Sequence, residues 1–208
     1  MIMTTLQKIE FILISIAAAA FCILTVILSV RLRRERRESA KRIKALEKEV
    51  RFDYLTGALS RKAFVSEMET ALAQSGTGVL IAFDINGFKS VNEMFGHAAG
   101  DGLIKRYAAK LLKEFGKDIV GRFEGDNFLV FIDSRITKED LNSRIKRSGA
   151  ARFSDKPTKL MISSCCGAAF APENGTTFDD LFTNADKALY HSKQNDRTIS
   201  YCQLSGDN

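Results

Sequence analysis

The sequence has few cysteines, and they follow no pattern that a metal site or a disulfide framework requires. Four occur in 208 residues, at Cys22, Cys165, Cys166 and Cys202. Zinc motifs pair their ligands at short, regular spacings, and small secreted domains carry closely spaced, paired cysteines. Cys165 and Cys166 are adjacent, so in a strand their side chains point to opposite faces. The pattern excludes a zinc finger and a disulfide-stapled domain, and it predicts reduced cytosolic thiols.

Net charge is lacking over most of the chain. The formal net charge is +6, and residues 31–52 alone hold ten Lys/Arg and four Glu, which accounts for all of it. A nucleic-acid-binding domain would carry its basic excess on the folded part. The charge distribution therefore predicts no nucleic-acid partner, and the length favours one domain with a core over two.

Charged residues are absent from residues 11–30, which read FILISIAAAAFCILTVILSV. Twenty helical residues span about 30 Å, the thickness of the hydrocarbon layer of a bilayer. The basic cluster from Arg31 to Arg37 follows directly, and such clusters stay on the cytoplasmic side. This indicates one transmembrane helix over residues 11–30, a short extracytoplasmic tail over residues 1–10, and a cytoplasmic C-terminal part.

Proline and glycine are absent from residues 31–52, which predicts a helical stalk. Apolar or small residues near heptad spacing form a short seam: Leu32, Ser39, Ile43, Leu46 and Val50. One interpretation is a stalk that pairs with a partner stalk. An equally good one is a solvated basic helix that lies against anionic lipid headgroups. The folded domain then covers residues 53–202, and residues 203–208 form a tail.

The folded domain alternates strand and helix patterns. Apolar and β-branched runs predict strands at Gly78–Ile85, Ile119–Phe123, Asn127–Ile132 and Leu160–Phe170. Helical periodicity covers residues 87–115 with interruptions at Gly96-His97 and Gly100-Asp101, and it recurs near Thr137–Ser148 and Phe178–Lys193. The resulting βααββαβα order predicts an α/β domain with a central sheet and helices packed against it.

Two carboxylates occur where predicted strands end. Asp84 lies near the end of the first strand, and Asp126 lies in the turn Glu124-Gly125-Asp126 of a hairpin. If these strands are neighbours, both carboxylates converge on one cation. Proteins commonly hold Mg²⁺ by one or two carboxylates, while substrate phosphates and water complete the octahedron. The sequence therefore predicts a Mg²⁺ and nucleotide site, with simple turn chemistry as the alternative for each aspartate.

Phosphate-binding groups occur next to these carboxylates in the sequence. Gly87, Phe88 and Lys89 open the helix after the first strand, where backbone N–H groups and a cation favour phosphate. Lys193 and Arg197 close the last helix and are candidates for the same phosphates.

Four segments together resemble the GGDEF domain of diguanylate cyclases over roughly residues 51–202: DYLTGALSRKAF (53–64), FDINGFKSVNEMFGHAAGD (83–101), RFEGDNF (122–128) and ADKALYHSKQNDR (185–197). The resemblance implies a mostly antiparallel central sheet with a nucleotide-cyclase/ferredoxin-like core. In that family two GTP-bound domains face each other, and the 3′-hydroxyl of each GTP attacks the α-phosphorus of the other to give cyclic di-GMP and pyrophosphate. It therefore implies a homodimer, or a heterodimer with another GGDEF protein, at the bacterial inner membrane.

The resemblance also implies a role for each matching position. Mg²⁺ or Mn²⁺ would be held by Asp84, the carbonyl of Ile85 and Asp126, and the guanine edge would be read by Asn92 and Asp101. Catalysis would depend on Asp126 and Lys89. The GTP contacts would be Phe88, Lys89, Asn92, His97, Asp101, Gly125, Lys193 and Arg197. From the residues alone, His97 is instead a helix-break residue whose hydrogen bonds are local.

The signature of this chain reads EGDNF and departs from the family at two positions. Asn127 replaces the glutamate that supports the metal site, and a carboxamide oxygen is a poorer ligand for a hard cation than a carboxylate. Glu124 replaces the first glycine and is expected to repel phosphate. Alternatively, Glu124 replaces the lost charge, although we expect it to approach from a different direction. The arginine of the product-inhibition motif is replaced by Phe115 while Asp118 remains, so feedback inhibition is not expected.

Three functions are consistent with the sequence. The first is a degenerate, weakly active or inactive GGDEF domain that acts by GTP binding or dimerisation, because Glu124 and Asn127 weaken the metal site. The second is a working diguanylate cyclase in which Asp84 and Asp126 suffice. The third is a membrane-surface adaptor with a vestigial nucleotide site, which the basic segment 31–52 favours.

Overall fold

The computed structural model describes residues 21, 24–25, 27–38, 51–150, 152–195 and 198–202. The chain divides into two units, Met1–Glu49 and Val50–Asn208. In the first unit, residues 27–38 are helical (α1). Among the residues described, no helix combines the length and the apolar character that a membrane span needs. Most of the predicted transmembrane segment 11–30, most of the stalk 31–52 and the tails 1–10 and 203–208 lie outside the described residues.

Among the described residues of the second unit, seven strands form one sheet: β1 (Leu59–Ser60), β2 (Gly78–Ile85), β3 (Ile119–Glu124), β4 (Asn127–Ile132), β5 (Arg152–Asp155), β6 (Leu160–Ala171) and β7 (Ile199–Tyr201). Their order is β1-β3-β4-β2-β6-β5, with β7 beside β6. The pairs β1–β3 and β6–β7 are parallel, and the other pairs are antiparallel. The sheet is central and mostly antiparallel, as predicted.

In the described part of this unit, five helices flank the sheet: α2 (Arg61–Ser75), α3 (Phe88–Phe95), α4 (His97–Phe115), α5 (Lys138–Ser148) and α6 (Phe178–Gln194). Thr137 and Thr177 cap α5 and α6, and each hydroxyl accepts a hydrogen bond from the backbone N–H three residues further on. The predicted strands and the helices α3 to α6 are confirmed. The prediction omitted α2 and the short strands β1, β5 and β7.

Strand β2 occupies the centre of the sheet, and seven of its eight residues are buried, Asp84 being the exception. Val79, Ile81, Phe83 and Ile85 belong to the core that contains residues of α4 and α5. Leu80 and Ala82 belong to the core formed with α2 and α6. Because side chains alternate between the two faces of a strand, Asp84 points to the face that α6 covers.

Helices α3 and α4 meet at Gly96, whose φ of 81° ends one helix before the next begins. The predicted interruption at Gly100-Asp101 is wrong, because both residues lie inside α4. The glycine is there for packing: a Cβ on Gly100 would lie 1.9 Å from Oδ1 of Asn92. Because Gly100 has no side chain, α3 can lie close to α4. The glycine that the sequence indicated as a helix break is therefore the place where the two helices contact each other.

Candidate functional site

Asp84 lies on β2, which is flanked by β4 and β6, and its carboxylate faces a lysine of α6. In the sheet it pairs with Asn127 of β4 on one side and with Cys165 of β6 on the other. Its carboxylate is 16% exposed, and its Oδ1 lies 2.7 Å from Nζ of Lys193. Directly paired residues of antiparallel strands present their side chains on the same face. The carboxylate therefore lies at the edge of the core, and Lys193 is its nearest cation among the described residues.

Asp126 is held by the two-residue turn between β3 and β4. The turn has Gly125 at a φ of 53°, a conformation that glycine adopts without strain. Burial raises the pKa of Asp126, and the negative charge of Asp84 raises it further, against the opposing effects of its own backbone N–H, Lys193 and Arg122. The two carboxylates thus repel each other, and a cation placed between them would relieve that repulsion.

A small cavity of about 270 Å³ opens beside Asp84. Glu124, Asn127 and Lys193 line it together with Asp84, and aromatic side chains of α6 close its other side. Glu124 pairs with Asn127, which in turn pairs with Asp84, so the three residues form a row across β3, β4 and β2. The expectation that Glu124 approaches from a different direction is therefore wrong. The two-residue turn brings both substituted signature positions to one face.

Mg²⁺ fits this donor set only in part. Asp84 and Asp126 supply two carboxylates, which is the usual protein contribution when phosphate oxygens complete the shell. Ile85 is 1% exposed and its side chain is a hydrocarbon, so its backbone carbonyl is its only candidate ligand. No group of three or more Asp, Glu, His or Cys side chains suited to a metal occurs among the described residues. A bound ion would therefore depend on the phosphates of its nucleotide.

Arg122 fixes the hairpin that carries Asp126, a role that we did not predict from the sequence. Its Nε donates to the carbonyl of Gly125 at 2.9 Å, and its Nη1 lies 3.3 Å from Oδ1 of Asp53. Asp53 also accepts hydrogen bonds from the backbone and the hydroxyl of Thr56. The role of Arg122 could have been predicted from its position, two residues before the turn Glu124-Gly125-Asp126 in the same short motif.

The predicted guanine-reading residues lie where α3 meets α4. Asn92 is half-buried against Gly100, and Asp101 follows that glycine on the exposed side of α4. His97 is exposed at the first position of α4. The structure thus brings Asn92 next to the helical turn that carries Asp101. Their role in reading guanine stays a prediction.

The predicted phosphate contacts are not all gathered at Asp84. Lys89 is 90% exposed and pairs with Glu93 at 3.7 Å one turn further along α3. The side chain of Phe88 packs partly against the core, which leaves its backbone at the helix start as the candidate contact. Lys193 reaches Asp84, whereas Arg197 lies outside the described residues.

Asp118, the remaining residue of the product-inhibition motif, is engaged within the domain. Its carboxylate pairs with the guanidinium of Arg144 from α5, at 2.5 Å between Oδ2 and Nη2. That guanidinium also lies 4.8 Å from the ring centre of Phe115. Phe115, which stands at the sequence position of the motif's arginine, and Asp118 thus both contact Arg144 of the same domain.

The chain matches the family "Diguanylate cyclase, GGDEF domain" over residues 50–198. The probable diguanylate cyclase DgcI of Escherichia coli is 36% identical over 148 residues, 70% of this chain and 31% of that protein. The diguanylate cyclase DgcP of Pseudomonas aeruginosa is 31% identical over 152 residues, 68% and 22% of the two chains. The cyclic di-GMP phosphodiesterase NbdA of the same organism is 30% identical over 157 residues, 72% and 20%. The chain spans about a fifth to a third of the length of these relatives.

Solved structures agree with this match. The coiled coil and GGDEF domain of DgcB from Caulobacter crescentus, in complex with c-di-GMP, has a TM-score of 0.65 at 23% identity over 84% of this chain and 98% of that one. The GGDEF domain of PA1120 (TpbB or YfiN) from Pseudomonas aeruginosa has a TM-score of 0.66 at 26% identity over 74% and 95%. At 23% identity, the likeness to the DgcB structure establishes the fold alone. With the match over residues 50–198, the chain belongs to the GGDEF family of cyclic di-GMP signalling.

Proposed function

We propose that this protein is a degenerate GGDEF protein, which binds GTP with Mg²⁺ but converts it to cyclic di-GMP weakly or not at all. It would then act through GTP binding and dimerisation, with itself or with another GGDEF protein. The observation that carries the proposal is the sheet register that pairs Asn127 with Asp84. In the family this position holds a carboxylate, so the substitution removes one negative charge directly beside the proposed metal ligand.

The loss of that charge acts on the metal more than on the nucleotide base. Mg²⁺ gives up water reluctantly and favours carboxylate oxygens, so a carboxamide in place of a carboxylate weakens its binding. When bound, the ion would neutralise charge on the GTP phosphates. Asn92 and Asp101 are intact, and they lie on helices that the substitution does not touch. This supports guanine recognition that outlasts catalysis.

Glu124 supports a second candidate, a working diguanylate cyclase. Its position in the row with Asn127 and Asp84 directs its carboxylate toward the same cavity. The carboxylate of Glu124 would replace the charge that is missing at Asn127, but from β3 instead of β4. Against this, the described residues hold no cluster of three metal-ligating groups. Glu124 is also exposed, so water screens its charge.

Binding and turnover separate these candidates in one experiment. The full chain is titrated with GTP by calorimetry, with and without Mg²⁺, and cyclic di-GMP is then quantified in the same sample. We expect heat of GTP binding and little product. Rapid formation of product would contradict the proposal and favour the working enzyme. The absence of any heat, with no thermal shift, would contradict it in favour of an adaptor with a vestigial site.

We also propose that the chain is anchored in the bacterial inner membrane with its GGDEF domain in the cytoplasm. The uncharged run at residues 11–30 and the basic cluster that follows it support this orientation. Protease treatment of spheroplasts tests it, because a cytoplasmic domain stays intact until the membrane is broken. Digestion before lysis, or recovery of the chain in the soluble fraction, would contradict the proposal.

A further inference from the structure

A second, larger cavity of the folded unit lies away from Asp84. It has a volume of about 750 Å³ and lies between α5, α6 and β7. Polar and basic side chains dominate its lining, among them Lys138 and Asn142 of α5, Lys187 and His191 of α6, and Tyr201 of β7. Ligand sites commonly have volumes of about 300–1,000 Å³, so the cavity has room for a mononucleotide.

The described lining of this cavity is basic. Lys138, Lys187 and His191 line it, and no carboxylate is among the described residues of its lining. Neither lysine forms an ion pair with a described residue, in contrast to Lys89 and Lys193. Two lysines beside a histidine favour an anion, since the attraction is stronger in a recess than on an open surface. Glu139, which follows Lys138 in the chain, is a carboxylate whose charge acts on Tyr201 of the lining.

Hydrogen-bonding groups accompany these cations. The hydroxyl of Tyr201 donates to Oδ1 of Asn142 at 2.7 Å, and Nζ of Lys138 lies 5.3 Å from the centre of the tyrosine ring. Burial, with smaller contributions from Cys166 and Glu139, raises the pKa of Tyr201 to about 12. The phenol therefore stays neutral and donates to the amide oxygen of Asn142, whose N–H₂ group is itself a hydrogen-bond donor.

Helix α6 connects this cavity with the Asp84 site. Lys187 and His191 are four residues apart, so they lie on one face of the helix. Lys193 is two residues beyond His191 and lies on another face, where it pairs with Asp84. One helix thus contributes cations to both recesses, and a ligand that moves it would alter the cation paired with Asp84.

We propose that this cavity is a second binding site, distinct from the GTP site, for a phosphate-bearing anion held by Lys138, Lys187 and His191. The proposal is independent of whether the Asp84 site binds GTP. The bound anion would influence the Asp84 site through α6.

The two histidines of the sequence allow a direct test. His191 lines the cavity, and His97 belongs to the predicted GTP site. The full chain, with ¹³C-labelled histidine, is titrated at fixed pH with inorganic pyrophosphate and, separately, with GMP. We expect the ring resonance of His191 to shift and saturate. A response to both probes identifies phosphate as the recognised group, and a response to GMP alone identifies a nucleotide.

Variants assign the shift to the cavity. The double substitution Lys138→Gln and Lys187→Gln should weaken the His191 response at least about tenfold, as expected when two charged contacts are lost. The matched control, Lys62→Gln with Lys146→Gln, removes two exposed lysines outside the cavity and should respond as the wild type does. An unchanged His191 resonance with both probes would overturn the proposal, as would a response that persists in the Lys138 and Lys187 double variant.

Discussion

Asp84 and Asp126 lie close enough to repel each other, and the rest of the domain holds them there. The hairpin turn fixes Asp126, and Arg122 fastens that turn through the carbonyl of Gly125. Only Lys193 offsets the charge of Asp84 at hydrogen-bonding distance among the described residues. Sites that bind cations commonly retain such repulsion, because the ion is what relieves it.

This repulsion predicts that Asp126→Asn stabilises the domain when no metal is present. Burial and Asp84 raise the pKa of Asp126, so the folded state holds that proton more tightly than the unfolded state. Ionisation therefore costs stability, and the cost appears as the pH rises through the raised pKa. We expect a gain below about 1 kcal/mol at pH 7, because water screens the pair.

Urea unfolding in EDTA across pH measures this effect. The gain should vanish below pH 3.8, the ordinary pKa, where both states carry the proton. Asp133→Asn, at the opposite end of β4 and exposed, is the matched control and should change little. A loss of stability at pH 7 in Asp126→Asn would show that the carboxylate is favourably paired instead.

Gly100 is predicted to position Asn92 for the guanine base. A Cβ on Gly100 would lie 1.9 Å from Oδ1 of Asn92, so Gly100→Ala must displace that side chain. We expect GTP affinity to fall about tenfold, the cost of one lost hydrogen bond to a buried polar group. Gly102→Ala, on the same helix and facing only the flexible end of Arg106, is the control.

Competition titrations with GTP and ATP read out this prediction. Displacement of Asn92 should reduce the preference for GTP over ATP, whereas simple destabilisation of α4 would weaken both nucleotides equally. Equal affinities of Gly100→Ala and wild type for GTP would contradict the role given to Gly100.

Sequence patterns located both carboxylates but not their environment. Asp84 and Asp126 are predictable because Asp84 lies near the end of β2 and Asp126 lies in the turn between β3 and β4, and the apolar residues of these strands mark them clearly in the sequence. The pair between Lys193 and Asp84 joins residues more than a hundred positions apart, and it exists because α6 crosses the face of β2. The direction of Glu124 was mistaken because it depends on the hairpin register, and that register follows from the turn length.

Helix α6 can lie against β6 because Gly167 has no side chain. A Cβ there would lie 2.1 Å from the backbone nitrogen of Leu189 and 2.2 Å from the carbonyl oxygen of Ala185. Backbone atoms cannot rotate away, so a methyl group would push the whole helix from the sheet. The position of Lys193 depends on this contact.

Gly167→Ala is therefore predicted to destabilise the domain by about 1–3 kcal/mol, the usual cost of overpacking a well-packed core. Thermal unfolding measures the loss. In the same variant the ring resonance of His191 should also shift, because His191 lies on α6, the helix that the added methyl group displaces. Unchanged stability would mean that the helix and strand separate without cost, contrary to the close contact described.

The long elements were predictable and the short ones were not. Strands β2 and β4 have buried runs with clear ends, and α5 and α6 begin at threonine caps. Strands β1, β5 and β7 have two to four residues, too few to establish a period. Helix α2 buries Phe64, Met68 and Leu72 at regular four-residue spacing, a pattern that the sequence contained and that we did not use.

As a whole molecule, the protein combines an intact GGDEF fold with an altered signature. Both altered positions, Glu124 and Asn127, lie in one row that ends at Asp84. The basic segment and the uncharged run before it support a membrane anchor, which stays a prediction. In the family the reaction needs two facing domains, and we propose that this chain pairs with another GGDEF domain even if it turns over little GTP itself.

We expect the missing negative charge at Asn127 to limit catalysis. Asn127→Glu adds the carboxylate, and Asn127→Gln adds the same length without the charge. Cyclic di-GMP formation from GTP and Mg²⁺ should be low in the wild type and in Asn127→Gln. It should rise at least about tenfold in Asn127→Glu, the usual effect of a supporting group at a metal site. Equal product from all three proteins would contradict the claim.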